Sequence, residues 1–197
     1  MMRRIHFGAF ILVIVLSLGS CRSFREMRNL TKCQFRIGTV RNIELAGVNI
    51  QNVRRFSDLG IRDAARATTA LISGNLPLSM LINVEVKNPN KNTAAMNRLE
   101  WIAMVDQFQL LNGIVSKRVE VNPNGGVATI PLTVSTNLNQ ILKSVSQKER
   151  LDFGMGITDQ NARPTRVALK LKPSIMIGKN SISYPGWFTV KREFASQ

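Results

Sequence analysis

The residues that could act as nucleophiles, bases or metal ligands are few. The chain has two cysteines, Cys21 and Cys33, and a single histidine, His6. His6 lies in an N-terminal segment that we expect to be removed, which would leave no histidine in the mature chain. Nucleophiles activated by histidine are then excluded, as are zinc sites built from histidine and cysteine. The twelve acidic residues are scattered, and no spacing marks a catalytic pair. We therefore expect no enzyme activity, no cofactor and no metal.

The chemistry expected at Cys21 is lipidation. Arg3 and Arg4 precede an apolar run, residues 7–18, which is short for a membrane span of roughly 20 residues and typical of a signal peptide. The run ends in Leu18-Gly19-Ser20-Cys21, which resembles the bacterial lipobox. The resemblance implies cleavage before Cys21, a diacylglyceryl thioether on its sulfur and acylation of the new amine. The alternative is an uncleaved N-terminal membrane helix.

The residues after Cys21 bear on the destination of the protein. Arg22 follows the cysteine where an aspartate would signal retention in the inner membrane of enteric bacteria. Residues 23–28 hold no acidic run of the kind that sends some lipoproteins to the cell surface. We therefore expect a lipid-anchored envelope protein, with the periplasmic face of the outer membrane favoured.

Composition indicates a folded domain with a basic surface. Apolar residues make up 44% and charged residues 20% of the 197 residues, as in globular proteins of one ordinary domain. The formal net charge is +15, which attracts phosphates, acidic polysaccharide or anionic lipid at long range. The alternative is that these charges only solvate the domain. Cys33 would lack a disulfide partner, and its parity with Phe35 and Ile37 favours a small core residue.

Most of the chain from Cys33 onward has the alternating pattern of half-buried strands. The alternating apolar positions include Phe35 and Ile37; Ile82, Val84 and Val86; Leu99, Trp101, Ala103 and Val105; Val119 and Val121; Ala128, Ile130, Leu132 and Val134; and Val167, Leu169 and Leu171. Pro131 cannot donate a ladder hydrogen bond, which predicts an edge strand. Asn112-Gly113 is the strongest signal for a tight hairpin turn.

Two segments have helical spacing instead. In residues 58–73 the recurring positions are Ile61, Ala64, Ala65, Thr68, Leu71 and Ile72, and in residues 137–148 they are Leu138, Ile141, Leu142 and Val145. Asp58 is a candidate cap for the first helix, and Gly74 follows its end. Strands with two inserted helices and no βαβ rhythm predict an antiparallel β-sandwich.

One stretch of the sequence resembles a known family. Residues 81–90, Leu-Ile-Asn-Val-Glu-Val-Lys-Asn-Pro-Asn, are similar to the central motif of the late-embryogenesis-abundant type 2 family, also called the water-stress and hypersensitive-response domain. Residues 40–45, 130–134 and 184–190 resemble its opening, later and closing strands. The resemblance implies an immunoglobulin-like β-sandwich with no catalytic residues, and with stress-related or membrane-associated roles. The helical insertion over 54–75 departs from the family pattern.

These observations give a division of the chain. We expect a signal peptide at 1–20, a lipidated polar tether at 21–32, the sandwich domain at 33–192 and a short tail at 193–197. Asn88-Pro89-Asn90 is expected to close a turn, because proline extends the residue before it and asparagine side chains bond nearby backbone groups.

The insertion carries the candidate binding surface, four arginines that could form an anion patch close to the anchor: Arg54, Arg55, Arg62 and Arg66. Arg62 and Arg66 are four residues apart and project on one side of a helix. The patch would meet phosphorylated lipid or polysaccharide, and the alternative is a solvated helix face. Nucleic acid is not expected, because no aromatic residues alternate with the basic ones.

Three functions remain open at this point. The first is an anchored interaction module that docks an envelope protein or lipid. The second is a module that binds an apolar or anionic small molecule between its sheets or under the 58–73 helix. The third is an enzyme of unrecognised type.

Overall fold

Eleven strands and three helices account for most of the structure, a computed structural model that describes residues 22–53, 58–105, 108–143, 165–177 and 179–194. The strands are β1 (Gln34–Leu45), β2 (Val48–Asn49), β3 (Pro77–Lys87), β4 (Ala94–Met96), β5 (Arg98–Val105), β6 (Phe108–Val115), β7 (Val119–Val121), β8 (Val127–Asn137), β9 (Thr165–Ile177), β10 (Asn180–Ser183) and β11 (Phe188–Phe194). The helices are α1 (residues 22–30), α2 (Ile61–Ser73) and α3 (Leu138–Lys143). The expected cleavage site at Cys21 lies outside the described residues.

The first sheet is built around the long central strand β3. Its strand order is β2-β1-β3-β8, and every neighbouring pair is antiparallel. The alternation predicted for β3 is confirmed, since Ile82, Val84 and Val86 are buried while the side chains between them are half-buried. The expected edge position of Pro131 is also confirmed, because it lies on β8 at one end of this order.

The second sheet has β9 and β5 at its centre. Its order is β10-β9-β5-β6, and β11 also pairs with β9, all antiparallel. A separate ladder joins β4 to β7. Leu99 and Trp101 on β5 and Leu169 and Leu171 on β9 point into the core, as their spacing predicted.

The two sheets share one apolar core, to which both contribute fully buried side chains such as Val84 and Leu169. Phe35 of β1 stacks on Phe188 of β11 with 5.0 Å between ring centroids, which links the sheets at one side. The fold class expected from the sequence is confirmed: the chain is a mainly β, antiparallel sandwich with inserted helices.

The hairpin expected at Asn112-Gly113 is wrong. Both residues lie inside β6, where they pair with Ile102 and Trp101 of β5. A tight hairpin instead joins β1 to β2 through Ala46 and Gly47, which both have positive φ. Gly113 is required for space rather than for a turn, because a Cβ added there would collide with the indole ring of Trp101.

The two expected helices are present with changed limits. The first begins at Ile61 rather than at 58, and Gly74 follows its last residue with a φ of 71°, as expected of a helix-terminating glycine. The second covers Leu138–Lys143, and the rest of its expected range lies outside the described residues. No helix in the described ranges combines the length and the apolar character needed to cross a membrane.

Candidate anion-binding surface

Helix α2 packs on the sandwich through its small residues. Ala67 is buried, and Ala64 and Ala70 beside it are half-buried. Because alanines three residues apart form a narrow, flat face, the helix can lie close to the sheet end. The helix ends next to β3, and the chain passes through Asn75 and Leu76 into Pro77.

The outer face of α2 corrects the sequence analysis. Ile61 and Ile72 share the helical spacing expected of a buried face, yet they are 92% and 83% exposed. The face formed by Ala64, Ala67 and Ala70 packs against the sandwich, and the two isoleucines lie on the side of the helix that faces away from it. Of the predicted apolar positions, Ala64 is half-buried, whereas Ile61, Ala65, Thr68 and Ile72 are exposed.

Arg62 and Arg66 border an open depression of about 420 Å³ between α2 and the start of β3. The hydroxyl groups of Thr69 and Ser73 and the side chain of Asn75 line it as well. Arg66 is partly neutralised, since its Nη1 lies 3.6 Å from Oδ1 of Asp63. The guanidinium groups of Arg62 and Arg66 and the hydroxyl of Thr69 can donate hydrogen bonds to an oxyanion in this depression, whereas the hydroxyl of Ser73 already donates to the carbonyl of Ala70 at 3.2 Å.

The other two arginines of the expected patch, Arg54 and Arg55, lie outside the described residues. Asp58 lies three residues before the first residue of α2. The structure thus places two of the four arginines on one surface.

The N-terminal segment differs from the expected tether. Residues 22–30 form helix α1, which buries Met27 and Leu30 against the sandwich. The physical reason is their spacing: two apolar side chains three residues apart lie on one helix face. Asn29 adds a hydrogen bond from Nδ2 to the carbonyl of Thr93, 3.0 Å away.

An ion pair fastens α1 more firmly. The buried carboxylate of Glu26 accepts hydrogen bonds from Arg118 at 2.8 Å and from Arg22 at 3.0 Å. Burial alone would raise the pKa of Glu26, but these arginines outweigh it, and the pKa is lowered. The carboxylate is therefore ionised at neutral pH, and Arg118 also holds Glu120 at 2.7 Å.

Asn88 organises the sandwich end on which α1 lies. The side chain is fully buried; its Nδ2 donates to the carbonyls of Asn92 and Val121, at 3.0 and 2.9 Å. Its Oδ1 accepts from the backbone and the side chain of Asn90, at 3.0 and 2.7 Å. Asn90 in turn donates to the carbonyl of Asn29 in α1. The structural role expected for Asn88-Pro89-Asn90 is confirmed.

Cys33 is a core residue, as expected. It is buried and free, and burial raises the pKa of its thiol to about 11. A thiol with such a pKa is protonated at neutral pH and is a poor nucleophile.

The two helices lie at opposite ends of the sandwich. Helix α1 precedes Gln34, which pairs with the last residue of β3, Lys87. Helix α2 precedes Pro77, the first residue of β3. The sequence analysis expected the arginine patch close to the anchor, and the full length of β3 separates Arg62 and Arg66 from the end that holds α1.

Comparisons with known proteins give distant likenesses. No family model matches the chain, and no curated protein matches it. Among solved structures, a protein from Archaeoglobus fulgidus is 16% identical, with a TM-score of 0.37 over 61% of this chain and 86% of its own. An Arabidopsis thaliana protein is 13% identical, with a TM-score of 0.39 over 60% of this chain and 70% of its own. A protein assigned provisionally to the late-embryogenesis-abundant class is 9% identical, with a TM-score of 0.38 over 96% of this chain and 86% of its own. Likenesses at this level place the chain in no family.

Proposed function

We propose that the chain is a non-catalytic, lipid-anchored protein of the bacterial envelope, whose β-sandwich serves as an interaction module. The observation that carries the proposal is the junction at Cys21. A lipobox-like sequence leads directly into α1, and α1 is packed on the sandwich. Lipid on Cys21 would therefore hold the folded domain beside the membrane without a flexible tether.

We also propose that the domain is of the late-embryogenesis-abundant type 2 kind. The support is the position of its most similar motif. The stretch Leu81–Asn90 forms most of β3 and the turn after it, and Asn88 fixes that turn with four hydrogen bonds. In this proposal the asparagines of the motif hold the fold, and the partner binds elsewhere.

Cys21→Ala is expected to abolish lipidation and cleavage, because only a thiol can form the thioether. Cells fed a radiolabelled or clickable fatty acid should label the parent protein and not the variant, which should accumulate as the longer precursor. Cys33→Ala is the matched control and should label as the parent does, since Cys33 is buried in the domain. Equal labelling of Cys21→Ala and the parent would refute the anchor. Fractionation of the labelled parent on a density gradient tests the outer membrane location.

A second candidate function is the binding of an anionic group in the depression beside α2. The observation that favours it is the presence of two exposed arginines and two hydroxyl-bearing residues on one concave surface. Since this surface lies at the end away from α1, its ligand is an anionic partner or small molecule more readily than the membrane that holds the anchor.

The double substitution Arg62→Glu and Arg66→Glu is expected to weaken binding of inorganic pyrophosphate to the chain lacking residues 1–21. A hydrogen bond to a charged group contributes about 1.5–3 kcal/mol, so loss of both arginines should lower the affinity by about tenfold or more. Isothermal titration calorimetry at rising salt measures this. The double substitution Lys179→Glu and Lys191→Glu changes the net charge equally and is the control. If both pairs weaken binding to the same degree, the depression is not a specific anion site.

A further inference from the structure

Helix α1 has an outer face that the sandwich does not cover. Glu26, Met27 and Leu30 point inward and are buried, whereas Phe24, Arg25 and Arg28 are exposed. Phe24 is 60% exposed, which is unusual for a large aromatic side chain with a packed domain next to it. Phe24 and Arg28 are four residues apart, so they lie side by side on the helix.

The surroundings of this face are strongly basic. Four further exposed lysines lie in the segments that flank or contact the sandwich end under α1: Lys32, Lys87, Lys91 and Lys117. The acidic groups nearest in these segments, Glu26 and Glu120, are both held by Arg118. Positive charge therefore dominates the end of the domain from which the chain runs back to Cys21.

The helix is also fixed relative to the sandwich. The ion pair between Glu26 and Arg118 ties it to the segment before β7, and Asn29 is bonded both to Thr93 and to Asn90. A surface that holds the outer face of α1 would consequently set the orientation of the whole domain.

We propose that the outer face of α1 lies in the head-group region of the anionic membrane that carries the anchor, an inference that rests on the lipidation proposed for Cys21. Phe24 enters the boundary between head groups and acyl chains, and Arg25 and Arg28 contact lipid phosphates. An aromatic group flanked by arginines is the composition of interfacial helices, which combine burial of apolar area with attraction to anionic lipids. The basic lysines add long-range attraction that falls with salt. The lipid thus provides attachment, and α1 provides orientation.

The test uses the lipidated full-length protein reconstituted in vesicles with brominated acyl chains. In a Trp187→Phe background, whose own emission from the buried Trp101 is subtracted, Phe24→Trp introduces a fluorophore on the outer face of α1, and Ile72→Trp introduces one on the exposed face of α2 at the other end. Interfacial helices bury their apolar face roughly 5–10 Å deep, so the bromines should quench the emission of Phe24→Trp by about half in vesicles containing phosphatidylglycerol. The emission of Ile72→Trp should remain that of a solvent-exposed indole.

The outcomes separate this inference from the proposed function. If the fatty-acid label is absent from Cys21, the anchor itself is refuted. If the protein is labelled but Phe24→Trp is quenched no more than Ile72→Trp, the anchor stands and the orientation by α1 is refuted. Quenching that is equal in neutral and anionic vesicles would overturn the part assigned to Arg25 and Arg28. A circular dichroism spectrum unchanged from the parent shows that each variant is folded.

Discussion

Replacing Asn88 with alanine is expected to lower the free energy of unfolding by about 3–5 kcal/mol, because several buried polar groups lose their partners at once. The carbonyls of Asn92 and Val121 would lose their donor, and both the backbone and the side chain of Asn90 would lose their acceptor. Bulk water does not reach these groups, since Asn88 is fully buried. The effect should spread to α1, because Asn90 would no longer be held in place to bond Asn29.

Urea unfolding of the chain lacking residues 1–21 measures this change. Asn92→Ala is the matched control, since Asn92 contributes its backbone carbonyl to the cluster and its side chain is exposed. The control should shift stability by less than about 0.5 kcal/mol, as surface substitutions generally do. Asn88→Asp should be as harmful as Asn88→Ala, because it removes the donor and buries a charge. A loss below that of an ordinary surface substitution would contradict the role given to Asn88.

Gly113→Ala is expected to destabilise the domain by about 2–3 kcal/mol, the reverse of the gain that replacing a strand glycine usually brings. Gly113 faces Trp101 across β5 and β6, and an added Cβ would overlap the indole ring. Trp101 is buried at 6% exposure, so the ring cannot move aside without opening the core. The cost therefore arises from overpacking and not from backbone strain.

A double-mutant cycle with Trp101→Leu tests this cause. The smaller side chain would itself leave a cavity, but it should remove most of the additional cost of Gly113→Ala, because neighbouring sites are not additive. Gly186→Ala is the control, since a Cβ there would meet Tyr184 at an ordinary 3.5 Å. Additive losses for Gly113→Ala and Trp101→Leu would show that the two residues do not compete for the same space.

The strands could be predicted from the sequence because their side chains report burial directly. Every second residue is buried in β3 and β5, as are Ile130, Leu132 and Val134 in β8, and this alternation is visible in the sequence. Asn112-Gly113 shows where local reasoning fails. This dipeptide favours a tight turn, but the glycine is needed because the ring of Trp101 on the neighbouring strand leaves no space for a side chain. That contact depends on the pairing register, which a single strand does not encode.

The predictions for the two helices α1 and α2 differed from the structure for different reasons. For α2 the helix was predicted correctly, but Ile61 and Ile72 of its predicted apolar face are exposed. The face that packs on the sandwich is formed by Ala64, Ala67 and Ala70, of which only Ala64 had been predicted. For α1 the many arginines suggested a solvated tether. The spacing of Met27 and Leu30 was a signal that the sequence offered. The partner of the buried Glu26 could not be found in this way, because Arg118 lies far along the chain.

The candidate site was predictable only in its local part. The four-residue spacing of Arg62 and Arg66 indicates a shared helix side, and both border the same depression. Their distance from the anchor could not be inferred, because it depends on which end of β3 each connection reaches. A chain that leaves α1 travels along β1 before α2 begins, and sequence separation does not show this direction.

The rigid connection of α1 to the sandwich has a consequence for reach. A flexible linker lets a tethered domain sweep a volume whose radius grows with the square root of the linker length. Here β3 acts as a spacer of eleven residues, about 35 Å at the usual rise of a strand, between the α1 end and the α2 end. With α1 on the lipid surface and β3 along the membrane normal, the depression beside α2 would stay at a fixed distance from the bilayer while the protein diffuses in the membrane. Partners at that distance would meet it by two-dimensional diffusion, and those closer to the bilayer would not.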